Sequence, residues 1–535
     1  AVGAAAAWLG KVTPARAAEK PSDLPSSDSP WQPATTAYGF DREPYILDPG
    51  PHLFIDWRYV MPGRVKWLYH GKSVGLFGED SNRPPSLDAV DPIAAQLPNG
   101  IRIEAQRPDF TGPVLPSDRP WEYLIGYNAL HFLDGKYRLW YEVVPPGQQG
   151  DSNLLCYAES TDGIHWTKPD LGVVEFKGNK KNNIVFGGPA CPSGYGASGV
   201  FLDPSAPQDQ RVKVVFLTYG TDEQIAQFKK EHPESVTSIG LRKKLFIKVA
   251  ASPDGIRNWR ILDGTLLCHM SDTQSIIHYD PVLNRYIGYF RMNLMNRRMI
   301  GMSESTGFNA WPAPQLILAP GPLNHPSEDL YTNSASLYPG TRTMHLMFPT
   351  VYQRQFDNTA MRMAASMDGR NWNWISDANL VEPGPPGSWN AGCLFVGHGL
   401  TELPDGRVAL PCVASIYPHK FPRLVNLGQI GLISWKSRRL SAVVADGDGE
   451  FYLQPMQLPG DQLHLNFQTE RAGIIKVEVV DSDGQSLNDC QTLRGDESDA
   501  IVKWRNGSKI KKNASRGTTL RFQIRAAKIF SFELT

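Results

Sequence analysis

In this 535-residue chain the side chains best placed to do chemistry are carboxylates, because the residue patterns of other routes are missing. There is no C-x-x-C and no H-E-x-x-H, which excludes a zinc ribbon or a zincin, and no Walker-type loop, so nucleotide chemistry of that kind has no support. No cofactor and no metal are expected. The cysteines Cys156, Cys191, Cys268, Cys393, Cys412 and Cys490 are even in number but scattered, and serve equally as disulfide partners or as buried thiols. The acids fall into distinct settings. Asp162, Asp254 and Asp368 lie in Ser-x-Asp-Gly turns; Asp134, Asp203, Asp280 and Asp405 lie in FLDGK, LDPSAP, YDPVLN and LPDGR. In such turns an Asp accepts backbone N–H bonds, so these seven read as structural. Glu122 in PWEYLIGY, Asp272 in MSDTQS, and Glu328 and Asp329 in PSEDLYTN stand apart, just ahead of strand-like runs. Asp56 sits within the apolar run HLFIDWRYV, where a carboxylate is costly to bury unless paired with an Arg or functional. Two carboxyls, one kept protonated and one ionised, can perform general acid–base chemistry. Arg291 and Arg58 could lower a carboxylate pKa, hold a substrate acid group, or serve packing alone.

The elements that must hold these residues repeat along the chain. LLCYAESTDGIHW (154–166), KVAASPDGIRNW (248–259), IGMSESTGFNAW (300–311) and MRMAASMDGRNW (361–372) each read as an alternating strand, a Ser-x-Asp-Gly turn or a degraded copy, and a Trp. Asp caps the turn, Gly takes positive φ, and Trp packs between neighbouring units. These are the features of the Asp-box hairpin of β-propellers. A two-strand hairpin precedes each motif (127–144, 199–219, 275–292, 334–351), and a fifth at 399–415 is followed by the strand GQIGLISWK. Five units at this spacing fit the four-stranded blades of a propeller over 35–440. TDEQIAQFKKEHPESVTSIGLRKK (221–244) is an inserted amphipathic helical segment. The strand PHLFIDWRYV (51–60) is expected to close the ring by completing the last blade, or else to lie across its face. Past 440 the chain becomes short alternating strands, FYLQPMQL, QLHLNFQT, GIIKVEVVDSDGQ, AIVKW, TLRFQIRAA and KIFSFEL, which predicts a β-sandwich over 441–535.

Composition agrees with an all-β chain and restricts its partners. Gly 48 and Pro 43 demand many turns, and 14 Trp with 19 Tyr favour strands and interfaces. Lys+Arg and Asp+Glu are both 54, so no global field attracts nucleic acid or an anionic membrane. No run of apolar residues is long enough to span a bilayer as a helix. AVGAAAAWLGKVTPARA resembles the tail of a signal peptide, and a Pro/Ser-rich leader follows to residue 34, so a secreted, periplasmic or cell-surface location is expected. The oligomeric state is left open.

YAESTDGIHW, FLDPSAP, SDTQSIIHYDP, DLYTNSASLYPG and PGPPGSWNAG, with GIIKVEVVD and AKIFSFEL, resemble secreted bacterial proteins similar to the N-terminal domain of glycoside hydrolase family 32. That group resembles the five-bladed propeller glycosidases of families 32 and 43, in which a sandwich follows the propeller. The family 32 motifs W-x-N-D-P-N-G, R-D-P and E-C are not present as written. The resemblance implies a carbohydrate-active enzyme, or a descendant of one, acting on an oligo- or polysaccharide. In such a propeller the residues starting each innermost strand face the substrate, and the first hairpin turn lies at the far end. On that implication Asp272 and Asp329 are the expected catalytic pair, with Glu122 and Asp56 next, as two carboxylates flanking a glycosidic bond. Glu328, Arg291, Asn390 and the rings Tyr331, Trp389, Trp121 and Trp57 are the expected substrate contacts, with wedge packing between blades the other reading of the rings. A non-catalytic propeller that binds carbohydrate or serves the cell surface is the rival. A polysaccharide lyase using Tyr331 or His325 is a third reading.

Overall fold

Alternating apolar and polar runs cut by Gly, Pro and Asp fold as antiparallel strands. The computed structural model, which describes residues 45–69, 72–74, 90–147, 153–187, 199–321, 324–422, 428–515 and 517–535, is nearly all β. The leader at 1–34 and Cys191 lie outside the described residues. Both α-helices among them, Asp222–Glu231 and Ser238–Lys243, fall in the 221–244 insertion. Thr221 starts the first with a capping box closed by Gln224.

Five antiparallel sheets follow one another. The first runs through Leu124–Leu133, Lys136–Val144, Leu154–Ser160 and Ile184–Phe186, the second through Gly199–Leu202, Val212–Tyr219, Leu245–Ser252 and Arg260–Ile261. The third has Ile276–Asp280, Arg285–Leu294, Arg297–Ser305 and Gln315–Leu318, and the fourth is built on Glu328–Thr332, Thr350–Gln353, Asn358–Ser366 and Trp372–Val381. The fifth has Cys393–Val396, Arg407–Ser415 and Gln429–Lys436, completed by Asp109–Leu115 from the N-terminal side.

Apolar layers join each sheet to the next. Trp140 and Tyr157 of the first meet Val214 and Phe216 of the second, and Val215 of the second meets Ile277 of the third. Tyr289 of the third meets Met347 and Val351 of the fourth, and Met361 of the fourth meets Leu394 and Leu410 of the fifth. Leu139 and Val143 of the first pack on Val413 and Ile430 of the fifth, so the succession closes on itself. The innermost strands also bond to one another: Leu130 N–H donates to His398 O at 2.9 Å, and Gln274 Nε2 donates to Asn128 O at 2.8 Å. Gly399 is required where these strands meet, since a Cβ there would lie 1.9 Å from Leu130 O.

The Ser-x-Asp-Gly turns behave as their chemistry dictates. Asp162 Oδ1 accepts from Ile164 N and His165 N, both at 2.8 Å, and Asp368 Oδ1 accepts from Arg370 N and Asn371 N at 2.9 and 2.8 Å. Gly163, Gly255 and Gly369 have φ of 76°, 74° and 71°. Trp372 Nε1 donates to Gly369 O, and Trp311 Nε1 does the same to Gly307 O in the degraded copy.

Two expectations are corrected. The segment 51–60 does not complete the fifth sheet: His52–Leu53 pairs with Phe532 and Ser531, Val60 bridges Leu453, and Arg58 bonds to Thr343 O and Ser366 O beside the fourth sheet. Closure falls to Asp109–Leu115, whose Gly112 and Pro113 disguise it as a loop. The C-terminal strands are fewer and longer than expected. QLHLNFQT and GIIKVEVV form one strand, Leu463–Val479, and TLRFQIRAA and KIFSFEL form another, Leu520–Leu534. With Ser441–Tyr452 and Asp496–Ile501 they make a single sheet that also takes in Arg102–Ala105 and His52–Leu53. Register shifts at Thr469/Ile474 and Ala445/Asp448 mark the irregularities that let such long strands bend.

Candidate functional site

Because the strands are antiparallel, each of the five sheets starts its first strand at the same end as the turn from its second strand to its third. This end, the mouth, brings together residues distant in sequence. Tyr127 comes from the first sheet, Arg291 and Arg298 from the third, Tyr331 from the fourth, Phe395 and His419 from the fifth, and Asp272 precedes the third. The Arg291 guanidinium lies 4.2 Å and that of Arg298 5.0 Å from the centre of the Tyr331 ring. Tyr331 hydroxyl and His419 Nε2 are 3.0 Å apart, and Phe395 packs on both rings, 5.2 Å from Tyr331 and 5.1 Å from His419. Tyr127 reaches Phe395 edge-on at 6.3 Å.

Asp272 is half-exposed, with 43% of its side chain open to solvent, and its Oδ2 lies 3.8 Å from Nη1 of the buried Arg291. Arg291 Nη2 donates to Tyr331 O at 2.9 Å. Burial, reinforced by Tyr331 and Asp272, pushes the Tyr127 hydroxyl well above its usual range. Of the expected residues, Asp272, Arg291 and Tyr331 therefore do share one site.

Asp329 belongs to the same wall but in another condition. Its side chain is fully buried and held from two sides: Arg354 Nε and Nη2 donate at 2.8 and 2.9 Å, and Arg298 Nη1 and backbone N at 2.7 and 2.9 Å. Burial alone would raise its pKa, but the bonds from Arg354 and Arg298 outweigh burial and hold the carboxyl below the usual range. Such a carboxylate stays ionised and has its lone pairs occupied, so it can position Arg298 but is badly placed to give up a proton. Glu328 next to it is buried and paired with Arg362 at 2.9 Å.

The remaining candidates lie apart from this cluster. Glu122 is buried, accepting from Tyr141 hydroxyl at 2.6 Å and Lys168 Nζ at 2.7 Å and capping the N–H groups of Asp118 and Arg119. Asp56 is paired with Arg58 at 2.7 Å, and Arg58 in turn donates to Thr343 O and Ser366 O, tying the N-terminal segment to the fourth sheet at the end away from the mouth. The salt-bridge reading of Asp56 describes its contacts. Trp121 donates to Asn183 Oδ1 and packs on Phe176, whereas Trp389 wedges against Phe110 of the closing strand, and Asn390 accepts from Ser388 in the same loop. Trp57 is exposed, and His325 is an exposed residue bonded to Ser327.

Sequence reasoning passed over Tyr127, Glu142, Arg298, Phe395 and His419. Glu142, near the end of the second strand of the first sheet, is buried, accepts a bond from Asn153, and lies beside Gly126, whose added Cβ would stand 3.5 Å from its Oε1. The signal that could have found these residues is position: each lies near the start of a first or third strand, near the end of a second, or in the turn between the second and third. The five described cysteines are buried free thiols, and no cluster of His, Cys, Asp and Glu among the described residues is arranged to hold a metal. No helix of the described residues is long and apolar enough to cross a membrane.

Comparison with protein-family models and with curated proteins finds no match. Solved structures of similar shape include an N-acetylgalactosamine deacetylase from F. plautii in complex with blood group B trisaccharide, at 12% identity and a TM-score of 0.41, covering 61% of this chain and 96% of that one. A glycosyl hydrolase from Bacteroides ovatus is similar at 12% identity and 0.37, covering 63% and 94%. An α-L-arabinofuranosidase from Podospora anserina in complex with cellotriose is similar at 10% and 0.38, covering 62% and 96%.

Proposed function

We propose that the chain is a five-bladed propeller glycoside hydrolase, with the sheet over 441–535 as a supporting domain, and that the mouth binds its saccharide substrate. The observation that carries this reading is the convergence of Tyr127, Asp272, Arg291, Tyr331, Phe395 and His419 from the first, third, fourth and fifth sheets. Aromatic rings beside fixed charges are what a sugar needs, a face for its C–H groups and partners for its hydroxyls. Asp272 is the carboxylate we assign to the reacting bond, with Arg291 as its counter-charge. Glu142 is the acid we assign as its counterpart, from its place beside Gly126 and Tyr127. The pair Asp272 and Asp329 is not kept, because the two arginines on Asp329 give it a positioning role. Export, as the leader suggests, is part of the proposal.

The clamp on Asp329 favours a second reading, a propeller that binds saccharide without cleaving it. One experiment separates the two. The protein is incubated with a library of plant, fungal and bacterial glycans, and released reducing ends are measured for the parent, Asp272→Asn and Glu142→Gln. Hydrolysis by the parent, lowered about 100-fold or more in both variants at unchanged melting temperature, is the expected result. Retention of a glycan without release supports the binding protein, and neither retention nor release overturns both.

A further inference from the structure

The charges around the mouth do not balance, and this bears on the substrate of the site proposed above, on which the inference rests. Where the third and fourth sheets meet, Arg291, Arg297, Arg298 and Arg354 stand with the carboxylates Asp272 and Asp329. Arg362 and Glu328 cancel each other, and Lys420 next to Asp357 adds no net charge. Within this set of four arginines and two carboxylates two positive charges are left over, Glu142 of the first sheet lying outside it. Arg297 spends its donors on backbone, giving bonds to Glu328 O at 2.7 Å and His325 O at 3.4 Å. Asp329 must serve two guanidinium groups at once. Nε of Arg291 is sealed from solvent with no hydrogen-bond partner, in a residue 3% exposed. The wall is therefore rich in donors and short of acceptors. A buried or half-buried guanidinium favours a planar or tetrahedral oxyanion, which it meets with two parallel bonds. The chain as a whole carries no net charge, so the excess is local to this wall.

We infer that the saccharide bound at the mouth is acidic, carrying a carboxylate or a sulfate ester that sits against the arginines of the third and fourth sheets. The aromatic side formed by Tyr127, Tyr331 and Phe395 takes the sugar face, and the anionic substituent supplies the missing acceptors.

The test uses the whole chain on a glycan array containing neutral, uronate-bearing and sulfated oligosaccharides, followed by calorimetric titration of the best ligand and its neutral counterpart, the methyl ester or desulfated form. The expected result is retention of acidic glycans, with the neutral counterpart weaker by about tenfold or more. Affinity for the acidic ligand falls several-fold from 0.05 to 0.5 M NaCl, as screening of an exposed ion pair requires, while that of a neutral ligand does not. The uronate and sulfate arms show which oxyanion is recognised. Arg297→Gln, which removes no carboxylate partner, weakens the acidic ligand about tenfold in a protein that still folds, as its cooperative melting shows. Equal retention of neutral and acidic glycans, or an Arg297→Gln variant with full affinity and the parent's salt dependence, overturns the acidic assignment while leaving a saccharide site in place. Retention of no glycan of any kind overturns the function reading and this inference with it.

Discussion

Asp329 and Asp272 look alike in sequence, each a few residues ahead of a strand, and differ entirely in their surroundings. What separates them is the hairpin of the third sheet and the turn of the fourth, which deliver Arg298 and Arg354 from 31 and 25 residues away. No local pattern announces that, so the acids were legible as candidates but their condition was not. Asp329→Asn leaves two guanidinium groups short of a counter-charge and should cost about 3–5 kcal/mol in urea unfolding at pH 7, the usual price of breaking a buried pair from one side. Its lowered folded pKa gives stability that is present above about pH 4 and lost as pH falls through the folded value. A second window belongs to histidine. Burial, only partly offset by Asp280, lowers the His278 pKa to about 4, and both ring nitrogens are sealed without a partner. Above pH 6.5 the ring is neutral in folded and unfolded chains alike. Between 6.5 and about 4 the unfolded chain binds the extra proton, so stability falls as pH falls. His278→Phe should match the parent at pH 7.5 to within about 1 kcal/mol and lose about 2 kcal/mol less than the parent by pH 4.5. An identical pH dependence in the two proteins would show that His278 takes up its proton in the folded state.

Elements were legible where a turn carries its own chemistry. The Ser-x-Asp-Gly motifs name their donor, acceptor and positive-φ residue within a few positions, and the structure shows those bonds at Asp162, Asp254 and Asp368. Asp368→Ala strands two backbone N–H groups and should lower stability by about 1–3 kcal/mol, with saccharide binding per folded molecule unchanged. Binding lost at an unchanged melting temperature would move Asp368 into the site. Elements were misread where composition imitates a break. Arg471-Ala472-Gly473 looks like a turn between two strands, yet Leu463–Val479 runs through it, because Gly473 lets the strand shift register against its partner without a Cβ meeting Ala526 O at 2.3 Å. Likewise DFTGPVL looks like a loop and is a strand. Proline is tolerated there because this strand stands at the edge of its sheet, where only one side of the backbone must pair.

At the scale of the whole molecule, the described segments between residues 45 and 115 act as a strap. His52–Leu53 and Arg102–Ala105 extend the C-terminal sheet, and Asp109–Leu115 completes the fifth sheet of the ring, so one short stretch belongs to both. This could not be read from sequence, because pairing partners more than 300 residues apart leave no local periodicity. The apolar core reflects the same sharing: Phe54 and Tyr59 pack with Phe451 and Phe532, in a cluster continuous with Leu394 and Leu410 of the fifth sheet. Ring and C-terminal sheet are therefore expected to unfold in one transition, since neither buries its edge without the strap. Leu115→Ala, in the layer between the fifth and first sheets at 2% exposure, should cost about 2–4 kcal/mol and lower the single transition as a whole. A chain beginning at residue 116 should lose that transition altogether and associate through its open strand edges, as seen by calorimetry and size-exclusion chromatography. A monomer of the truncated chain that melts at the parent temperature would show that the ring closes without its borrowed strand.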